Sequence, residues 1–217
     1  MSVFHYSPPP DAPRILYADA HILVVDKPAG LLSVPGRGED RADCLISRLR
    51  VGHPTVLLVH RLDLDTSGVI IFALTPDAQR NLGRQFEARS TAKTYTALLA
   101  GHLTPAEGRV DLPLIVDWPN RPRQHVNFET GRPAQTDWRV LSHESDGTSR
   151  VLLMPVTGRS HQLRVHMMEL GHPILGDTLY ATGDALNHPR LMLHAETLAF
   201  AHPATDEPIR FTAPCPF

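Results

Sequence analysis

The chain has 217 residues, and 42% of them are hydrophobic, which is enough for a folded core and excludes a disordered chain. The N-terminal segment has no basic run followed by an apolar core, and no stretch approaches the roughly 20 apolar residues that span a bilayer. Two distant cysteines, Cys44 and Cys215, predict neither a disulfide framework nor a zinc ribbon. We therefore expect a soluble, cytoplasmic protein with no membrane partner.

The net charge of −2 argues mildly against a nucleic-acid partner, because domains that bind nucleic acids are often strongly basic. Of the 21 lysines and arginines, all are arginines except Lys27 and Lys93. The planar guanidinium of arginine suits phosphate binding and base stacking. Arg80, Arg84 and Arg89 are close in sequence. Charge alone leaves both an RNA-facing surface and an ordinary solvated face open.

Short apolar runs between prolines and glycines predict a chain rich in strands. The predicted strands lie at residues 21–28, 55–60, 68–75, 93–101, 150–156 and 190–200. Thr75 followed by Pro76 predicts the start of a helix, because Thr is a good N-cap and Pro is favoured at the first helical position. Apolar residues then recur every four positions and predict one buried stripe. The stripe consists of Ala78, Leu82 and Phe86.

A second helix is predicted to start at Ser160 and to stop before Gly171, with this glycine at the C-cap position. Strands outnumber helices and do not alternate with them regularly, so we predict an α+β fold with a mixed, mainly antiparallel β-sheet and flanking helices. No repeat or break in composition divides the chain. We expect a single domain over residues 1–217, with residues 1–13 as an irregular arm.

Residues 60–68 (HRLDLDTSG) hold several ionisable groups between two predicted strands. Loops that rigid strands hold in place are common positions for catalytic groups. A calcium-binding loop that starts at Asp63 is excluded, because Leu74 occupies the position that needs a glutamate. A metal-dependent hydrolase stays open as a rival, although no His-Glu-x-x-His pair supports it. Its ligands would come from His60, Asp63, Asp65, His161, His166 and Asp177.

Residues 157–166 (TGRSHQLRVH) are rich in hydrogen-bond donors and lead into the second predicted helix, whose N-terminus attracts anions. A cation is unfavourable there unless an anion lies close, so Arg159 or Arg164 is predicted to have a buried acidic partner. Strand alternation places Lys93 and Tyr95 on one face. The residues alone indicate an enzyme with a carboxylate–arginine centre and leave its substrate open.

Together these stretches resemble the RluA-type pseudouridine synthase family. Residues 60–68 match the active-site signature of that family, residues 158–166 match its second motif, and Lys93-x-Tyr95 matches the segment with its active-site tyrosine. The likeness extends over nearly the whole chain. It implies the pseudouridine synthase catalytic fold, with a central active-site cleft.

The resemblance also implies a reaction: the glycosidic bond of a flipped-out uridine breaks, and the base turns and is rejoined through carbon. Such an isomerisation needs no cofactor and no metal. Asp63 would be the catalytic carboxylate, and Arg164 would pair with Asp63, keep it ionised and orient it. Arg61 would fill the space that the uridine leaves, and Tyr95 would stack on the flipped base. Asp65 is the alternative nucleophile.

Residues 110–123 resemble the dual-specificity branch of the family. This implies two RNA partners, a stem-loop of 23S rRNA and the anticodon stem-loop of tRNA, with uridine 746 and uridine 32 as the targets. The resemblance implies no DNA partner, and we expect a monomer without the S4-like RNA-binding module that some relatives carry at the N-terminus. The rival that is not an enzyme is an RNA-binding module in which Asp63 is structural.

Overall fold

The structure is a computed structural model, and it describes residues 5–217. By its internal contacts the chain forms two compact units. Among the described residues, the first unit contains residues 5–92 and 195–215, and the second contains residues 93–194 and 216–217. That the two units make up a single domain stays a prediction.

The N-terminal arm was expected to be irregular over residues 1–13, of which residues 1–4 lie outside the described part. Residues 5–13 form neither helix nor strand. Tyr6 fixes this segment in the first unit, because its hydroxyl donates to the carbonyl oxygen of Asp43 (2.9 Å) and accepts from the backbone N–H of Leu32 (3.1 Å).

The first unit is built on antiparallel strand pairs. Strand β2 pairs with β1 on one side and with β4 on the other, β3 pairs with β4, and β12 pairs with β11. The strands are β1 (Arg14–Ala18), β2 (Ile22–Lys27), β3 (Leu57–Leu58), β4 (Ser67–Ala73), β11 (Leu193–Ala201) and β12 (Pro208–Thr212). Strand β4 is buried along its whole length, which fits its apolar run from residue 69 to residue 73.

Two α-helices belong to the first unit, α1 (Leu45–Leu49) and α2 (Pro76–Glu87). Helix α2 starts where the sequence predicts, since the Thr75 side chain accepts from the backbone N–H of Ala78 (3.2 Å). Its apolar stripe packs into a core formed by β2, β4 and β11. Three further residues, Glu39–Arg41, form a 3-10 turn.

The second unit is an antiparallel sheet in the order β5-β10-β9-β6, with a separate hairpin, β7–β8. Its strands are β5 (Ala92–Leu99), β6 (Glu107–Asp111), β7 (Leu114–Val116), β8 (Gln124–Val126), β9 (Gln135–His143) and β10 (Ser149–Pro155). Helix α3 (Gln162–Glu169) and a 3-10 turn (Gly183–Leu186) complete it. Helix α3 ends as predicted, with Gly171 at a φ of 82° just beyond the C-cap.

The prediction of an α+β fold is confirmed. Three predicted elements begin later or are shorter than expected. Residues 55–60 were predicted as a strand, but only Leu57–Leu58 pair with β4. The helix predicted from Ser160 begins at Gln162, because His161 is the N-cap with a φ of 53°, and the strand predicted from residue 190 begins at Leu193. Within residues 5–217, no helix is long and apolar enough to cross a membrane.

Candidate active site

The four residues that the sequence singled out lie on three elements. Arg61 and Asp63 belong to the loop that joins β3 to β4 in the first unit. In the second unit, Tyr95 lies in β5 and Arg164 lies in α3.

Hydrogen bonds hold the backbone on both sides of Asp63 against residues 27–33 of the first unit. Ser33 Oγ donates to the carbonyl oxygen of Leu62 (2.7 Å) and accepts from the N–H of the same residue (3.2 Å). The carbonyl oxygen of Leu64 accepts from the Gly30 N–H (3.0 Å) and from Lys27 Nζ (2.9 Å). Since residues 62 and 64 are both held, the backbone position of Asp63 is fixed by residues about 30 positions earlier in the chain.

Lys27 is fully buried, which is rare for a lysine. Its ammonium donates to the carbonyl oxygens of Leu31 (2.7 Å), Leu64 (2.9 Å) and Pro28 (2.9 Å). Burying a charge is costly, and these three charge-assisted hydrogen bonds offset that cost. The ammonium therefore joins the turn after β2 to the loop that carries Asp63.

The two ends of this loop are also fixed. Near its start, His60 Nε2 accepts from the backbone N–H of Ile71 (3.2 Å), and the imidazole stacks on Phe86 of α2 (4.6 Å between ring centroids). Gly68 follows the end of the loop with a φ of 112°, and a Cβ at this position would overlap the carbonyl oxygen of Ala195. The signature therefore needs glycine at position 68 for two independent reasons.

Within this fixed loop, Arg61 is exposed and Asp63 and Asp65 are half-buried. A carboxylate on a fastened backbone with partial access to solvent suits a nucleophile or a base, because little reorganisation is needed before reaction.

Arg164 has the buried acidic partner that the sequence predicts. Its Nε donates to Asp177 Oδ2 (2.7 Å) and its NH2 group donates to Asp177 Oδ1 (2.7 Å), and both side chains are almost fully buried. Asp177 Oδ1 also accepts from the backbone N–H groups of Leu179 (2.9 Å) and Tyr180 (3.1 Å). This two-point geometry fixes the plane of the guanidinium. The sequence did not identify Asp177 as this partner, and the predicted pair of Arg164 with Asp63 stays a prediction.

Gln162 and His166, in the second motif, join α3 to β9. Gln162 Oε1 accepts from Thr157 Oγ1 (2.6 Å) and Arg159 N–H (3.0 Å), and Gln162 Nε2 donates to Thr136 Oγ1 (3.0 Å). Thr136 Oγ1 in turn lies 2.9 Å from His166 Nδ1. His166 Nε2 lies 3.1 Å from the carbonyl oxygen of Leu112, so Nε2 is the protonated nitrogen. Burial lowers the pKa of His166, which keeps the ring neutral.

In β5, Lys93 and Tyr95 are both half-buried. Burial lowers the pKa of Lys93. The Lys93 ammonium lies beside the turn before α3, since a Cβ on Gly158 would be 3.7 Å from Lys93 Nζ. The third segment that the sequence singled out therefore lies next to the second motif within the same unit.

Among residues 5–217, no three His, Cys, Asp or Glu side chains are placed to hold a metal ion. Two of the proposed hydrolase ligands have other partners, since His166 bonds to Thr136 and Asp177 bonds to Arg164.

Comparison with known proteins agrees with this arrangement of motifs. Residues 21–169 match the RNA pseudouridylate synthase family. The chain belongs to the RNA pseudouridine synthase family. The resemblance that the motifs carry is thus confirmed, and the protein is an isomerase whose substrate is RNA.

The similar proteins include full-length relatives. The chain is 55% identical to the dual-specificity RNA pseudouridine synthase RluA of Escherichia coli (strain K12) and 51% identical to that of Pasteurella multocida (strain Pm70), with 100% of each chain covered. Among solved structures, human RNA pseudouridylate synthase domain containing 1 superposes with a TM-score of 0.80 at 32% identity, covering 97% of this chain and 87% of that one. Human RNA pseudouridylate synthase domain containing 4 gives 0.75 at 27% identity, covering 94% and 88%.

Sequence reasoning missed the residues that bond to the candidate site segments, above all Lys27, Ser33 and Asp177. One signal was available for Lys27, which ends a run of buried apolar residues. A buried ammonium is costly unless acceptors such as carbonyl oxygens surround it, so the position indicated such acceptors. Ser33 and Asp177 gave no such signal, because their partners are 29 and 13 residues away.

Proposed function

We propose that this synthase converts uridine to pseudouridine in stem-loops of both 23S rRNA and tRNA, with Asp63 as the catalytic carboxylate. The full-length relatives are named dual-specificity RNA pseudouridine synthases, which supports two kinds of RNA substrate. The observation that carries the assignment of Asp63 is the fastening of Leu62 by Ser33 and of Leu64 by Lys27, which holds this acid in one position.

The reaction is balanced without an oxidant or a reductant. The bond between uridine N1 and the sugar carbon C1′ breaks, a bond between base carbon C5 and C1′ forms, one proton leaves C5, and one proton is gained at N1. A held carboxylate serves either as a nucleophile or as a base in this sequence, because both roles need its oxygens at a constant distance from the reacting nucleotide.

The other site residues have roles that follow from their exposure and contacts. Arg61 is exposed and long enough to enter the space of an extruded nucleotide. The ring of Tyr95 offers a stacking surface for the flipped base. Arg164 is held by Asp177, so it presents a cation of fixed orientation; its pairing with Asp63 belongs to the proposal.

The expected targets, uridine 746 of 23S rRNA and uridine 32 of tRNA, belong to the same proposal. So do a cytoplasmic location, where both RNAs are found, and action as a monomer. Size-exclusion chromatography with light scattering tests the last point, and a stable dimer would contradict it.

The decisive experiment incubates wild-type protein and the Asp63→Asn variant with tRNA and 23S rRNA transcripts and maps pseudouridine at single-nucleotide resolution. Asp65→Asn is the matched control, because it makes the same isosteric change two residues away. We expect modification of both transcripts by wild type and by Asp65→Asn, and none by Asp63→Asn, which should still bind RNA.

Each other outcome corrects a different part of the proposal. Modification of one transcript only would remove the dual specificity, and an active Asp63→Asn variant would remove the assignment of the catalytic acid. Binding without modification by any form would favour an RNA-binding module. Strand cleavage that a chelator stops would favour the metal-dependent hydrolase.

A further inference from the structure

The β7–β8 hairpin ends in a closed loop, residues 117–123, that the catalytic roles above do not use. Its backbone is fastened internally: Asp117 N–H donates to the carbonyl oxygen of Arg123 (2.9 Å), and Asn120 N–H donates to that of Asp117 (3.0 Å). The Asn120 side-chain amide donates to both carboxylate oxygens of Asp117 (3.1 and 2.9 Å). The loop therefore has a fixed shape, and its acidic side chain is engaged within it.

This loop displays an exposed tryptophan beside arginines. Trp118 is 65% exposed. The guanidinium carbon of Arg121 lies 3.8 Å from the centroid of the indole, and Arg121 Nε donates to the carbonyl oxygen of Trp118 (3.1 Å). Arg123 and Arg132 are also exposed, and Arg132 is bridged to Leu114 at the start of the hairpin. Leaving a large indole in water is unfavourable, so this arrangement points to a ligand with a flat ring and negative charge.

The hairpin is connected to the guanidinium of Arg164 through Tyr180. The backbone N–H of Gln124 donates to the Tyr180 hydroxyl (2.7 Å), and that hydroxyl lies 2.8 Å from His161 Nδ1. The guanidinium groups of Arg123 and Arg164 lie 5.3 and 5.2 Å from the centroid of the Tyr180 ring. Burial raises the pKa of Tyr180 to about 12, so the hydroxyl keeps its proton at neutral pH and can donate to His161 while it accepts from Gln124.

We propose that Trp118, with Arg121 and Arg123, binds an unpaired nucleotide of the substrate stem-loop other than the uridine that reacts. The base stacks on the indole, and the arginines contact the flanking phosphates. This inference rests on the proposed function, because it takes the partner to be the stem-loop RNA. RNA fits better than a protein surface, since the exposed side chains combine an aromatic plane with cations.

Tryptophan fluorescence tests the proposal directly, because the chain has two tryptophans with opposite exposure. Trp118 is exposed, whereas Trp138 is 4% exposed. The Trp138→Phe variant reports on Trp118 alone, and the Trp118→Phe variant reports on Trp138 alone. On titration with a transcript of the tRNA anticodon stem-loop, or of the 23S rRNA stem-loop if wild type modifies only that RNA, we expect quenching in the first variant and none in the second.

Affinity measured by fluorescence anisotropy of the labelled transcript gives a second readout. Base stacking on an aromatic side chain corresponds to about 5- to 150-fold in affinity, so Trp118→Ala should weaken binding within that range and Trp118→Phe much less. Leu141→Ala, a truncation of another exposed apolar side chain in the same unit, should leave affinity unchanged. Arg121→Ala should reduce the dependence of affinity on salt. In steady-state assays of Trp118→Ala, the loss should appear in KM for the transcript more than in kcat.

The outcomes separate this surface from the activity itself. If wild type forms pseudouridine in the transcript but Trp118 is not quenched and Trp118→Ala binds normally, the stacking surface is refuted while the proposed function stands. If Trp118→Ala lowers kcat and leaves affinity unchanged, the indole acts on the reaction and not as a binding surface. If wild type modifies neither transcript, the proposed function is refuted, and this inference is refuted with it because it depends on the same RNA.

Discussion

Replacing Ser33 by alanine tests whether the fastening of Leu62 serves catalysis. The Ser33 hydroxyl makes two hydrogen bonds to the backbone of Leu62, and Ser33 is 3% exposed. A typical internal hydrogen bond contributes about 1 kcal/mol, and a buried polar group left unsatisfied costs about 1–3 kcal/mol. We therefore expect the free energy of unfolding to fall by roughly 2–4 kcal/mol, measured by urea titration.

The same substitution should slow the reaction. A reacting group misplaced by about 1 Å can lose ~100-fold in rate, so we expect kcat of Ser33→Ala to fall by about 10- to 100-fold in single-turnover assays, with RNA affinity nearly unchanged. The matched control is Ser47→Ala, because Ser47 Oγ bonds to the N–H (3.0 Å) and the carbonyl oxygen (2.8 Å) of Cys44 in the same way, at the start of α1. It should cost about 1 kcal/mol of stability and leave kcat at the wild-type value.

Stability and rate can then be separated. If Ser33→Ala lowers the free energy of unfolding as expected but turns over as fast as Ser47→Ala, the bonds to Leu62 stabilise the fold without positioning Asp63, and the reasoning is refuted.

Three further predictions concern supporting residues. Asp177→Ala removes the partner of a buried charge, so the free energy of unfolding should fall by about 3–5 kcal/mol in urea titrations; a loss below 1 kcal/mol would mean that the pair with Arg164 contributes little. Burial lowers the pKa of His166 in the folded protein. Below the ordinary histidine pKa of about 6.5, the unfolded chain therefore binds a proton that the folded ring does not. The free energy of unfolding decreases as the pH falls through this range. Thermal melts between about pH 7 and pH 5 should therefore show a weaker pH dependence in His166→Gln than in wild type, and equal slopes would contradict this. Gly68→Ala should lower the melting temperature or prevent folding, whereas Gly83→Ala, in the exposed middle of α2 with open space around it, should add about 0.5–1 kcal/mol; equal effects would contradict the steric assignment.

Local signals in the sequence predicted local structure well. The N-cap at Thr75 and the glycine that follows α3 were predicted correctly, because both depend on hydrogen bonds within a few residues. The apolar runs also predicted β2 and β4, because strands whose consecutive side chains are buried consist mainly of apolar residues.

For contacts between distant segments, the sequence predicted the type of partner but not the residue. The position of Arg164 near a helix N-terminus indicated a buried acid, but the choice of Asp177 depends on how the chain returns after α3, which composition does not record. In the second motif, the donors indicated an anion site, whereas Gln162 and His166 bond to groups of the protein itself. Family motifs thus define the candidate site, and several motif residues, such as Gln162 and His166, bond to groups of their own unit.

The first unit is discontinuous in sequence, and this has a consequence for synthesis on the ribosome. Residues 93–194 are translated as one stretch before Ala195, the residue of β11 against which Gly68 packs. The unit that carries Asp63 therefore cannot complete its fold until residues 195–215 have been translated. We expect a nascent or truncated chain that ends before residue 195 to lack activity toward the RNAs around it.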